Sequence, residues 1–208
     1  MAVADRPIIT VTDDNCADIC THLMVGDLIF RHGTKKGLDA IPIRNFQSRY
    51  GGYGPVASNI THVALYSGDG KVIHAVPPQA KEDVFLHYFI GANISICTWE
   101  APGIDRSTAV PRMITLARSY IGKPYSSFEL FKVSLAAMDY DRHQMPNQPH
   151  KKRLLTICST MVFDLFDAVL GAANPLDSED EPRKLIFYVP AELFIQRGLG
   201  DIPFRPVG

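Results

Sequence analysis

The sequence predicts an α+β domain in which one apolar helix packs across an antiparallel sheet of roughly five or six strands. Three observations lead there. Thr61 to Val76 reads THVALYSGDGKVIHAV, two β-rich runs split by Ser67, Gly68, Asp69 and Gly70, which is the pattern of a hairpin. Ile157 to Leu170 reads ICSTMVFDLFDAVL, in which Cys158, Val162, Leu165 and Val169 recur at helical spacing. The 208 residues carry no repeat or low-complexity tract, and a chain of that length buries roughly 70% of its unfolded surface, enough for one core without disulfides or metal.

Taken in chain order, a first strand is expected over about Asp27 to Phe30, and the hairpin supplies strands at His62 to Tyr66 and Lys71 to Val76. Side chains alternate faces along a strand, so an odd-numbered loop puts His62 and His74 on one face and an even one separates them. The odd loop is the reading adopted. It sets Ala64, Tyr66, Val72 and Val76 beside the histidines and Val63, Leu65, Ile73 and Ala75 on the other face. Both faces are then apolar, and the sheet is expected to be covered on both sides.

A further strand spans Ser95 to Trp99, with Cys97 packing in the core, and a helix spans Asp105 to Tyr120. The helix at Cys158 has Thr156 upstream as its expected N-cap. Leu185 to Phe194 reads as a short strand leading to Pro190 and a helical turn, and Gly198 to Gly208, with its prolines, as extended chain.

Three segments read as insertions around this core. Residues 31–60 include Arg44, Arg49 and the run Gly51-Gly52-Tyr53-Gly54, a loop placed to cover a substrate or a plain surface excursion. Residues 126–156 begin with the amphipathic FELFKVSLAAM and end in a polar stretch. There His150, Lys151, Lys152 and Arg153 would favour an anionic substrate at a cleft mouth, or simply be solvated. Residues 171–184, rich in Pro, Asp and Glu, are expected to be an exposed loop without chemistry.

The chemistry-bearing residues are Cys158, His62 and His74. Only a thiolate is a good nucleophile and a free cysteine titrates at about 8.5, so a position in a helix's first turn beside an imidazole is what activation requires. The first-turn amides could also donate to an oxyanion. Singly, a cysteine in an apolar helix is most often a small buried hydrophobe and a strand histidine a satisfied structural residue. Together they read as nucleophile, base and a second ring that fixes the base's tautomer. A neutral ring in the third position stabilises an imidazolium less than a carboxylate does. Asp27 is a candidate carboxylate, with a structural role the stronger reading.

These residues carry a resemblance to the NlpC superfamily of papain-like cysteine peptidases and amidases, in its circularly permuted branch. Gly26, Asp27, Leu28, Ile29 and Phe30 resemble that family's Gly-Asp-Leu strand, His62 its base and His74 its orienting residue. Ala117 to Tyr125, reading ARSYIGKPY, resemble its helix and turn, and Cys158, Ser159 and Val162 its nucleophile helix, the two halves being exchanged in order. The likeness covers most of Val25 to Val169. It implies a permuted papain-like fold over residues 1–208 as a single domain, a Cys158–His62–His74 triad working through an acyl-enzyme, and Tyr125 and Ser159 as oxyanion or substrate contacts. The chain departs from the family where Asp-Cys-Ser-Gly is usual, having Ile157, Cys158, Ser159 and Thr160, and it lacks the Trp-Gly-Gly that commonly follows the tyrosine.

What the resemblance implies about role is a thiol hydrolase acting on cell-wall peptide, and by analogy an antibacterial effector exported by a contact-dependent (type VI) secretion apparatus and matched by an immunity protein. The alternatives are a lipid acyltransferase or thioesterase of the related permuted fold, for which Phe128 to Met138 would serve a lipid tail, and a non-catalytic binding module. No cofactor is expected. Cys16, Cys20, Cys97 and Cys158 show neither zinc spacing nor a disulfide framework, and Cys16, Cys20 and His22 lack an evident fourth ligand. A net charge of -1 argues against nucleic acid as the main partner. No run approaches the ~20 apolar residues of a membrane span, and MAVADRPIITVTDD is not a classical signal peptide. Synthesis in the cytoplasm is therefore expected, with any activity in a target periplasm following export.

Overall fold

The computed structural model describes residues 6–33, 43–44, 47, 55–126, 157–176, 190–194 and 199–201. The fold is α+β, a seven-stranded sheet with helices on both faces. Its strands are β1 (Ile9–Thr10), β2 (Leu28–His32), β3 (Ile60–Gly68), β4 (Lys71–Val76), β5 (Gln79–Val84), β6 (Asn93–Trp99) and β7 (Leu199–Asp201). The order runs β1-β6-β2-β3-β4-β5, with β7 also on β6, and every pairing is antiparallel. The helices are α1 (Asp13–His22), α2 (Phe85–Phe89), α3 (Arg106–Arg118), α4 (Cys158–Leu170) and α5 (Pro190–Phe194). Among the described residues, no helix is long and apolar enough to cross a membrane.

Two apolar layers sandwich the sheet. On one face Val63, Leu65, Ile73 and Ala75 join Trp99, Met113 and the apolar side chains of α4 and α5. On the other, Ile29, Ala64, Tyr66 and Val72 join Ile19 of α1 and Phe85 and Phe89 of α2. The division of β3 and β4 side chains between faces is the one the hairpin pattern predicts, but the turn that achieves it is not a simple odd loop. Asp69 and Gly70 both have positive φ, 50° and 65°, as a tight two-residue hairpin turn requires, and such a turn pairs Gly68 with Lys71. Continued unbroken, that even register would send the two histidines to opposite faces. A bulge between Tyr66 and Gly68 absorbs one residue, so Tyr66 faces Val72 and Leu65 faces Ile73.

Beyond Leu65 and Ile73 the β3–β4 ladder stops. Here α4, packed across both strands, brings its first residue to the sheet. This helix is buried over nearly its whole circumference rather than on a single stripe, with only Asp164 and the stretch Asp167–Val169 reaching toward solvent. Its N-cap is Ile157, not the expected Thr156, which lies outside the described residues. An apolar N-cap side chain accepts no hydrogen bond, so the first-turn amides keep their donors for other partners.

The Gly-Asp-Leu segment is explained by packing. Gly26 has φ 93°, and a Cβ there would meet Val110 of α3 at 2.9 Å. The Asp27 carboxylate is fully buried, accepting from the Met24 amide at 2.8 Å and from Arg106 at 3.1 Å. That guanidinium in turn lies over the Trp99 ring at 4.7 Å. Asp27 therefore ties β2 to α3 and is not the carboxylate of the histidine pair. The Gly-Lys-Pro-Tyr turn extends the sheet edge, the Gly122 amide donating to Ala80 at 2.9 Å and the Tyr125 amide to Pro78 at 2.8 Å.

Several expectations shift at their edges. The segment 31–60 is not wholly an insertion, since β2 continues to His32 and β3 starts at Ile60. Gly171–Ala173 form a short 3-10 turn, and the chain after it is anchored by Leu176, 2% exposed, whose amide is held by Asn174, so this part is not a loose loop. Arg49, the glycine-rich run 51–54, Phe128 to Met138 and the basic stretch 150–153 lie outside the described residues.

Candidate active site

His62 and His74 are brought together. His62 Nε2 and His74 Nδ1 stand 3.0 Å apart, and both rings are buried. His74 Nε2 is 3.0 Å from Oδ2 of Asp83, a β5 residue. Pairing of β4 with β5 sets Lys81 directly opposite His74 and Asp83 opposite Val72, one diagonal step away. Lys81 Nζ holds the same carboxylate oxygen at 2.7 Å.

The hydrogen-bond chain fixes the tautomers. Asp83 can only accept, so His74 carries its proton on Nε2 and, being neutral, accepts at Nδ1. His62 must then donate from Nε2. Its Nδ1 is left as the acceptor, the form a general base needs. Burial, then His74 and Arg31, hold the His62 ring well below the usual imidazole range. Burial takes His74 down to about 4 against the opposing pull of Asp83. Asp83 itself is drawn below its usual value by Lys81 and His74 even though burial opposes the shift. At neutral pH the site holds two neutral rings ending on a carboxylate.

Cys158 opens α4 on the opposite face of the sheet, 3% exposed. Its sulfur meets the backbone amide of Val63, the residue after His62 on β3, where the ladder to β4 has ended. Burial pushes the thiol up to about 11, while the amides of Val63, Ser159 and Cys158 and the Ser159 side chain pull it down. The helix start thus supplies donors around the sulfur, yet the resting group is a thiol and not a thiolate. Ser159 lies in this cage of donors. Tyr125 is half-buried at the end of the Gly-Lys-Pro-Tyr turn, packed on the apolar layer beneath α4.

Two residues of the site escape a reading of the sequence. Asp83 lies in QAKEDV, whose only buried residue is Ala80, so it reads as a polar connection. The legible signal was its alternation with Lys81, which puts both on the histidine face once β5 folds back on β4. Tyr88, on α2, packs against both imidazoles, its ring centroid 4.2 Å from that of His74 and 5.4 Å from that of His62. Burial raises its hydroxyl to about 12, so it stays protonated. Arg31 lies over the same ring, 5.4 Å from its centroid.

Among the described residues no group of three or more His, Cys, Asp or Glu side chains is disposed to hold a metal ion. Cys16 and Cys20 share a hydrogen bond on α1, and His22 Nδ1 faces the Asp18 carbonyl at 2.8 Å.

No protein-family model matches this chain, and no curated protein is similar to it. Among solved structures it is similar to a crystal structure described as the metalloprotein yiiX from Escherichia coli O157:H7, DUF1105, with a TM-score of 0.50 and 14% identity over 86% of this chain and 96% of that one. The likeness is one of fold. The word metalloprotein describes that neighbour.

Proposed function

We propose that this protein is a cysteine acyl hydrolase of permuted papain-like build, with Cys158 as nucleophile, His62 as base and His74 and Asp83 as the groups that orient and stabilise that base. The observation that carries the reading is the unbroken chain from His62 through His74 to Asp83, two contacts of 3.0 Å each, beside the strand position whose amide meets the thiol.

The reaction starts from a neutral pair. The Cys158 thiol, which reaches the open end of the β3–β4 ladder from the other face of the sheet, attacks an amide or ester carbonyl as its proton is passed through that opening to His62 Nδ1, forming a C–S bond and an oxyanion. The oxyanion is met by first-turn amides of α4, where Ser159 contributes, and Tyr125 is a further candidate donor. The imidazolium formed on His62 keeps its Nε2–H on His74, and His74 keeps its own on Asp83, so the carboxylate offsets the new charge through one intervening ring. His62 then returns the proton to the leaving amine or alcohol. Water, activated in the same way, releases the acyl group and restores the thiol.

Cell-wall peptide is the first substrate class, because the sequence resembles the NlpC peptidases. Export by a secretion apparatus into a target periplasm, with an immunity protein in the producing cell, completes that proposal. Ile157 stands where those peptidases carry an aspartate, so a free amino end on the substrate is not required, and lipid or thioester acyl groups form the second class. The test is incubation of wild type and Cys158→Ala with purified sacculi and with acyl esters in parallel, read by mass spectrometry. New muropeptides from wild type alone support the peptidase. Ester cleavage alone moves the substrate to the second class, and equal products from both proteins reject the nucleophile.

A further inference from the structure

Arg31 stands directly across the β2–β3 pairing from His62 and on the same face of the sheet. Its guanidinium lies over the Tyr88 ring, which touches both imidazoles, and it is hydrogen-bonded to the Tyr88 hydroxyl. Arginine has donors only, so the hydroxyl oxygen accepts and the remaining guanidinium N–H groups stay available. The side chain is half-buried, and among the described residues no carboxylate pairs with it. The nearby carboxylate, Asp83, is already engaged by Lys81 and His74.

A permanent cation opposite the base works against the imidazolium that catalysis forms. Such a placement is reconciled with the chemistry when an anion arrives with the substrate. We propose that Arg31, held by Tyr88, is a recognition site for an anionic group, a carboxylate or a phosphate, carried by the acyl substrate next to its scissile carbonyl. The planar guanidinium suits both groups, because its paired N–H donors match two oxygens at once. Binding that anion would also cancel the field of Arg31 at His62, so the base gains its full strength only in the loaded site. This inference rests on the assignment of Cys158 and His62 as nucleophile and base.

Two alkylating reagents of similar size test it, iodoacetate, which is anionic, and iodoacetamide, which is neutral. In wild type the ratio of the Cys158 labelling rates, iodoacetate over iodoacetamide, is expected to exceed that in Arg31→Gln by about tenfold at low salt, and the excess is expected to shrink in about 1 M salt. Arg31→Lys is expected to keep a substantial part of the preference and guards against a Gln variant that fails to fold. Protection of wild type from iodoacetate by acetate or by inorganic phosphate at equal ionic strength tells which anion is preferred. A ratio unchanged by Arg31→Gln, with iodoacetamide labelling still dependent on His62, overturns the anion site and leaves the hydrolase standing. Iodoacetamide labelling that ignores His62→Ala overturns the nucleophile assignment, and the anion site with it.

Discussion

Two buried histidine networks lie on opposite faces of the same sheet, and they differ in how they end. His32 faces Ser95 Oγ at 2.9 Å, and that hydroxyl donates to the Pro7 carbonyl at 2.8 Å. Ser95 must therefore accept from His32 Nε2, and the chain closes on a neutral backbone oxygen that fastens the N-terminal segment. His62 and His74 instead end on the carboxylate of Asp83. Burial takes both His32 and His74 to about 4, so depressed basicity does not distinguish them. What separates the proposed catalytic pair from the structural histidine is the charge at the far end of its chain.

Substitution is the most forceful way to break this comparison. His62→Ala is expected to lower turnover by about 10²- to 10⁴-fold, the usual worth of a positioned general base, with the loss in kcat. His32→Gln should leave kcat within about threefold while lowering the denaturation midpoint. Comparable kinetic losses from both would erase the difference between the networks.

Acid is the next largest lever, and it should act on both networks. Each ring has a folded-state value below the unfolded ~6.5, so the unfolded chain binds more protons as the pH falls. Their contribution is therefore complete above about pH 6.5 and lost as the pH drops toward about 4. The expected loss is on the order of 3 kcal/mol each for His32 and His74, read from urea denaturation against pH. His32→Gln should remove its own share of the slope and leave that of the pair. A flat stability profile across that interval would contradict the burial of both.

The smallest effect sharpens the role of the carboxylate. Asp83→Asn keeps the shape and removes the charge, one ring away from the base, so a fall in kcat of about 10- to 100-fold is expected with little change in KM. An unchanged kcat would reduce Asp83 to a surface ion pair with Lys81.

The hairpin and its facing were legible in the sequence because alternation of apolar residues binds His62 to Ala64 and Tyr66, and His74 to Val72 and Val76. The device that makes it so was not. A two-residue turn plus a bulge at Ser67 has the same parity as an odd loop, and sequence periodicity sees only the parity. The Cys158 helix was legible from the spacing of Cys158, Val162, Leu165 and Val169, but its burial on nearly every side, Phe163 and Phe166 included, was not, because one stripe of spacing records one face. β5, β1 and α2 were missed for one reason. They are short, and their stability comes from pairing and packing that no local pattern records. Asp83 and Tyr88 went with them.

Acyl-enzyme trapping is the most direct measurement. Wild type, His62→Ala and His32→Gln would each be mixed with an activated acyl ester, quenched in acid at intervals, and the mass and position of the adduct read by intact-protein and peptide mass spectrometry. The account predicts a single acyl group on Cys158 in wild type, formed at a similar rate in His32→Gln and at least ~10²-fold more slowly in His62→Ala. An adduct on another residue, or acylation of Cys158 at one rate in all three proteins, would contradict it.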